Sequence, residues 1–110
     1  MTLRDSGTIR DLLFSAKTAV SYLEGCSRAE FEDDLKTQDA TIRRLEIIGE
    51  AAKRLGERID AELPELPWRK MRDMRNLMIH RYWEIDLDIV WSTVRDDLPG
   101  VIDALERYLA

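Results

Sequence analysis

The only histidine has an arginine and a tyrosine close to it in the chain, and together these three residues could act on a phosphodiester. Arg75 lies five residues before His80, and Tyr82 lies two residues after it. The ordinary pKa of histidine is near neutrality, so His80 can take or give a proton at physiological pH. An arginine guanidinium can hold a phosphate and stabilise the charge that grows in the transition state. RNA supplies its own nucleophile, the 2′-hydroxyl, so a His and an Arg could cleave it without a metal.

The same residues are compatible with a chain that has no catalytic role. A lone histidine near a helix end is more often a structural or surface residue than a catalyst. Near His80, Glu84 and Asp86 do not have the pattern of a two-metal nuclease. A zinc site is not expected either, because the chain has one histidine and one cysteine, Cys26.

His80 lies in a basic segment of an acidic chain. The net charge of −5 argues against non-specific binding of nucleic acid over the whole surface. Residues 67–82, which we call the basic segment, hold five basic side chains against one acidic, a net charge of +4. Such a run is usually a solvated helix face, but this one also contains the histidine.

Composition predicts one small soluble domain over residues 1–110. Hydrophobic residues make up 45% of the chain, which is too many for a disordered protein. No apolar run approaches the roughly 18 residues of a membrane span, and the N-terminus lacks the apolar core of a signal peptide. The cytoplasm is therefore the expected location.

Apolar residues recur at steps of three and four, which predicts an all-α fold. The first predicted helix ends near Gly25 and carries one apolar stripe: Ile9, Leu12, Leu13, Ala16, Ala19, Val20 and Leu23. Ser27 and Glu30 have the spacing of a capping box, which predicts a short second helix over 28–35. Thr37 is the predicted N-cap of a long third helix.

The third helix has small residues on or beside its apolar stripe, namely Gly49, Ala51 and Gly56. Small residues let another helix approach closely, so we expect a tight contact here, within the chain or with another copy. Two prolines then predict a break between Ile59 and Trp68.

A fourth helix is predicted after this break, with Pro67 in its first turn and its end at residue 79 or 80. Asp86 is the predicted N-cap of a fifth helix, and a sixth restarts at Asp97 or Leu98, before Pro99. Together these elements predict an antiparallel bundle with a four-helix core and short accessory helices.

Helical spacing separates the two candidate catalytic residues. Five residues at 100° each put Arg75 and His80 roughly 140° apart around an ideal helix. They could converge if the helix ends or loosens near His80, or if a second copy of the chain supplies the other wall of the site.

The run from Arg75 to Tyr82 matches the R-x4-H-x-Y motif of HepT-like proteins, a branch of the HEPN superfamily. Other segments that resemble this family are residues 36–40, 45–53, 67–68, 85–87 and 90–91. The resemblance therefore covers essentially the whole chain.

The resemblance implies an all-α homodimer with two motif copies facing each other across a cleft. It also implies a metal-independent endoribonuclease that needs no cofactor and is the toxin of a type VII-like toxin–antitoxin pair. Its antitoxin would be a minimal nucleotidyltransferase that silences the toxin by transferring AMP to the motif tyrosine. By position, Arg75 and His80 would be catalytic, Asn76 would support the site and Tyr82 would be modified. The alternative is a non-catalytic HEPN binding subunit that docks a nucleotidyltransferase.

Overall fold

The chain folds as a series of helices joined by short turns. The computed structural model describes residues 3–80 and 85–110, with side chains for residues 5–76 and 85–110. The helices are α1 (Leu3–Leu23), α2 (Arg28–Asp33), α3 (Leu35–Leu55), α4 (Arg58–Glu62), α5 (Trp68–His80), α6 (Leu87–Ser92) and α7 (Leu98–Leu109). This part of the chain contains no strand, so the predicted all-α class is confirmed. None of these helices is both long enough and apolar enough to cross a membrane.

One hydrophobic core is shared by the long helices. α3 packs against both α1 and α5, and α1 also packs against α7. The stripe predicted in α1 faces this core, because Ile9, Leu12, Ala16, Ala19 and Leu23 have no exposed surface. The antiparallel four-helix arrangement of the core stays a prediction.

The turn between α1 and α2 forms as predicted. Gly25 has a φ of 69°, a left-handed conformation that glycine adopts without a steric cost. The capping box is present, because Glu30 N donates to Ser27 Oγ at 3.1 Å and Ser27 N donates to Glu30 Oε1 at 3.0 Å. The bond from Ser27 N lowers the pKa of the Glu30 carboxyl, since it favours the charged form. α2 ends at Asp33, two residues before the predicted end.

Asp34 is the N-cap of α3, so the prediction of Thr37 was wrong. The Thr37 hydroxyl donates to Asp34 Oδ2 at 2.6 Å, and Thr37 N donates to Asp34 Oδ1 at 3.0 Å. These bonds lower the pKa of the Asp34 carboxyl. Because Asp34 satisfies a free N–H at the helix start, α3 begins two residues before Thr37.

The predicted break between residues 59 and 68 contains the short helix α4, and this part of the prediction was wrong. The non-helical segment begins at Leu63, which directly precedes Pro64 and has φ −132° and ψ 66°. A proline disfavours the helical conformation of the residue before it, and here that residue, Leu63, is the first one after α4. An ion pair between Arg58 of α4 and Asp5 of α1, at 2.9 Å, holds α4 against α1.

α6 and α7 are joined by a π-helical turn at Thr93–Asp97, where the sequence predicts two separate helices. Asp86 caps α6 as predicted, since Asp88 N donates to its side chain at 2.8 Å. Leu98 N donates to the Thr93 carbonyl, which is the five-residue spacing of a π-helix. Pro99 has no N–H to donate, so the regular α-helical bonding pattern is interrupted here without ending the helix.

Candidate active site

Two of the predicted site residues, Arg75 and Asn76, lie next to each other on α5. The Arg75 side chain is half-buried and that of Asn76 is exposed. Arg75 Nη1 lies 3.4 Å from Asn76 Oδ1, a long hydrogen bond that directs the guanidinium towards the amide oxygen. Asn76 can therefore orient Arg75, and its supporting role in the site stays a prediction.

The backbone of α5 at Arg75 lies directly against Gly49 of α3. A Cβ added at Gly49 would lie 2.7 Å from Arg75 N, 2.7 Å from Arg75 Cβ and 3.0 Å from Arg75 Cα. Carbon atoms in ordinary contact lie roughly 3.5–4.0 Å apart, so no residue with a Cβ fits without a shift. The tight helix contact predicted at Gly49 is confirmed and lies within the chain.

One turn before Arg75, the guanidinium of Arg72 binds the end of α3 and the α4 helix. Arg72 Nη2 donates to the Gly56 carbonyl at 2.7 Å, and Arg72 Nε donates to the Ala52 carbonyl at 3.3 Å. Arg72 Nη1 also donates to Asp60 Oδ2 at 3.2 Å, and Nη2 to Asp60 Oδ1. The guanidinium lowers the pKa of the Asp60 carboxyl, and Asp60 in turn raises the pKa of Arg72.

The side of α5 that carries Arg75 is also packed in the core, because Met71 and Trp68 precede Arg75 by four and seven residues and so lie on nearly the same face of the helix. Trp68, Met71 and Met74 are 2%, 2% and 7% exposed. The indole N–H of Trp68 donates to the Leu63 carbonyl at 2.8 Å, which satisfies its only polar atom. α5 is thus held in place by core packing and by the Gly49 and Arg72 contacts.

α5 remains helical as far as His80, so its backbone does not loosen between the two candidate catalytic residues. The angle of roughly 140° between their positions around the helix is therefore kept. The side chain of His80 and the whole of Tyr82 lie outside the described residues. Their predicted roles stay predictions.

Part of the positive charge of the basic segment is neutralised within the chain. Lys70 pairs with Asp97 at 2.7 Å, and Arg72 pairs with Asp60. Arg69 is exposed on α5, whereas Arg81 lies outside the described residues. The charge offered to a polyanion is accordingly smaller than the net of +4 suggests, and Arg69 and Arg75 are the described residues that supply it.

Metal ligands do not cluster in the part of the chain whose side chains are described. No group of three or more His, Cys, Asp or Glu residues there could hold a metal ion. The lone Cys26 is half-buried, and its Sγ lies 3.4 Å from the carbonyl of Ser27.

Sequence comparisons place the chain in a known family. The profile of the family described as ribonuclease HepT-like matches residues 12–108. A protein of Thermococcus cleftensis named as a probable ribonuclease HepT is 40% identical over 102 residues, which cover 89% of this chain and 93% of the relative. A candidate RNase of Methanocaldococcus jannaschii is 33% identical over 107 residues, covering 96% of this chain and 98% of the relative. No solved structure gives a significant match.

The family profile spans nearly the whole chain, from the middle of α1 to the last turn of α7. The matched region includes α3 and α5, so it contains both Gly49 and the segment from Arg75 to Tyr82. On this evidence the chain belongs to the ribonuclease HepT-like family.

Proposed function

We propose that this protein is a metal-independent endoribonuclease with Arg75 and His80 as its catalytic residues. The observation that carries the proposal is the R-x4-H-x-Y run in a chain that belongs to the ribonuclease HepT-like family, with Arg75 and His80 of this run both on α5. Residues 1–110 would form a single domain that acts on RNA in the cytoplasm.

Cleavage would use the nucleophile that RNA already carries. His80 would take the proton from a 2′-hydroxyl as its oxygen attacks the adjacent phosphorus, and a proton returned to the leaving 5′-oxygen would complete the step. The products would be a 2′,3′-cyclic phosphate and a 5′-hydroxyl. Arg75 would stabilise the phosphorane, because its guanidinium can donate two hydrogen bonds to the equatorial oxygens.

We propose further that two copies of the chain form the site together. The helical backbone between Arg75 and His80 supports this, because it keeps their positions on different sides of α5. In a homodimer with the two α5 helices face to face, Arg75 of one copy and His80 of the other could line one cleft. Two copies of Arg69 and Arg75 would also give this cleft a local positive charge on a chain of net charge −5.

The proposed biological role is that of a toxin controlled by a minimal nucleotidyltransferase antitoxin. AMP transferred to Tyr82 would add a phosphodiester charge two residues from His80, where it would occupy the cleft and repel RNA phosphate. Intact mass after co-expression with a cognate nucleotidyltransferase should show added AMP. An unchanged mass for a chain that is nonetheless silenced would contradict this mode of control.

The decisive experiment compares RNA cleavage by the wild type, Arg75→Ala and His80→Ala, each with and without EDTA. We expect cleavage by the wild type in EDTA and a loss of at least about 100-fold in each variant. Arg10→Ala, which removes an exposed arginine of α1, is the matched control and should keep full activity.

Two results would contradict the proposal. Strict dependence of cleavage on an added metal would exclude the metal-independent mechanism. A folded wild type that leaves RNA intact and does not arrest growth of a bacterial host would favour the non-catalytic binding subunit that docks a nucleotidyltransferase.

A further inference from the structure

We infer that Gly49 and Arg72 are positioning residues that set where Arg75 lies. This inference rests on the proposed function, because it concerns the placement of the proposed catalytic arginine. Neither residue needs to touch RNA for this role. Each acts by fixing α5 against α3, and the two contacts lie about one helical turn apart along α5.

The first contact sets how closely the two helices approach. Gly49 meets backbone atoms of α5, Arg75 N and Arg75 Cα, and not the flexible end of a side chain. A rotamer change therefore cannot relieve the clash with an added Cβ. With an alanine at position 49, α5 must move away from α3 by roughly 1 Å before ordinary carbon contact distances are restored.

The second contact holds α5 at the C-terminal end of α3. Carbonyl groups in the last turn of a helix have no partner within the helix. Arg72 donates to one of them, the Ala52 carbonyl, and to the carbonyl of Gly56, the C-cap residue that follows α3. Asp60 fixes the orientation of the same guanidinium. A guanidinium can reach all three groups at once because its donors form a rigid planar fork, whereas a lysine ammonium cannot.

A shift of α5 would change the site more than it changes the fold. His80 is five residues further along the same helix, so both proposed catalytic residues move when α5 moves. A displacement of about 1 Å of a catalytic group can reduce a rate roughly 100-fold while leaving binding of the substrate largely intact. The expected signature is a fall in kcat with little change in KM.

The first variant is Gly49→Ala, with Gly7→Ala as its control. Both replace a glycine inside a long helix, so both gain the same helix propensity, but a Cβ at Gly7 has no atom within 4 Å. We expect kcat to fall roughly 10- to 100-fold in Gly49→Ala, with KM changed by less than about threefold. Gly7→Ala should keep the activity of the wild type.

A stability-matched variant separates positioning from a general loss of stability. Ile9→Val removes one methyl group from the buried face of α1, a helix that packs against α3 and α7, and lowers stability modestly. If Gly49→Ala and Ile9→Val have similar melting temperatures, only Gly49→Ala should lose kcat. Equal activity of the two variants would overturn the inference.

Arg72→Lys provides an independent test if Gly49→Ala does not fold. The lysine keeps the positive charge beside Asp60 but cannot donate to the carbonyls of both Ala52 and Gly56. We expect kcat to fall about 3- to 10-fold with KM unchanged. A folded Arg72→Lys with the kcat of the wild type would overturn the inference.

Failure of the inference and failure of the proposed function give different results. Amide chemical shifts of residues 71–76 report the position of α5 whether or not the protein cleaves RNA. They should change in Gly49→Ala and not in Gly7→Ala. Unchanged shifts would contradict the inference alone, whereas a wild type without cleavage would contradict the proposed function and leave the displacement of α5 measurable.

Discussion

Lys70 Nζ lies 2.7 Å from Asp97 Oδ2, and this ion pair joins α5 to the π-helical turn before α7. The preceding residue, Arg69, is exposed and forms no ion pair with the described part of the chain. Two neighbouring cations of the basic segment therefore differ in what they can offer to RNA. Lys70 already has a carboxylate partner, whereas the charge of Arg69 is available to a phosphate.

Arg69→Ala should weaken RNA binding much more than Lys70→Ala. We expect Arg69→Ala to lower affinity about 3- to 10-fold and to reduce the salt dependence of binding by roughly one phosphate contact. Lys70→Ala should change affinity by less than about twofold. Fluorescence anisotropy with labelled RNA at several salt concentrations, in a His80→Ala background, measures both quantities. Equal losses in the two variants would show that the Lys70–Asp97 pair does not neutralise Lys70.

Mixing two inactive variants tests whether the site is shared between copies. In a heterodimer of Arg75→Ala and His80→Ala chains, one of the two shared sites keeps both residues. Random exchange of subunits should then restore roughly a quarter of the wild-type activity, because about half of the dimers are mixed and each has one intact site. The assay is RNA cleavage after co-refolding, with each variant refolded alone as the control. No recovery in confirmed heterodimers would place both residues in one chain.

The Asp60–Arg72 ion pair should make the stability of the protein depend on pH in the acid range. The guanidinium lowers the pKa of Asp60 below its ordinary value of 3.8. The ion pair therefore makes its full contribution to the free energy of unfolding at pH values above 3.8. This contribution is lost as the pH falls through the lower pKa of the folded state. Asp60→Asn should therefore flatten the fall in melting temperature between about pH 5 and pH 2. Glu65→Gln, at an exposed position, is the control and should keep the slope of the wild type.

Asp34→Ala should destabilise the protein because it removes the N-cap of α3. Loss of such a cap costs about 1 kcal/mol of unfolding free energy. Asp33→Ala removes an equal charge one residue earlier, at the end of α2, and is expected to change stability by less than about 0.5 kcal/mol. Urea denaturation followed by circular dichroism gives both values. A loss in Asp33→Ala as large as that in Asp34→Ala would contradict the assignment of Asp34 as the cap.

Local features of the fold could be predicted from the sequence because they depend on residues close together in the chain. The buried stripe of α1, the capping box of α2 and the cap at Asp86 each involve neighbours within about one or two helical turns. The errors were also local. Asp34 and Thr37 are both good N-caps, and the π-helical turn before Pro99 has no pattern distinct from a helix end.

The position of the candidate site could be predicted in part from the sequence. The sequence alone was sufficient for the helical class and for the angle that separates Arg75 from His80. It also showed that four candidate residues lie in one short run: Arg75, Asn76, His80 and Tyr82. It also indicated Gly49 as a place where a helix could approach closely. It did not indicate which helix would do so.

The contacts between residues of different helices became visible only when the helices were packed together. Gly49 lies 26 positions before Arg75 in the chain, and Lys70 lies 27 before Asp97. Contacts of this kind depend on how α3, α5 and α7 pack, since helical periodicity identifies a buried face but not its partner. For the same reason, the number of basic residues in the sequence did not show that Arg72 and Lys70 are neutralised by carboxylates from other elements.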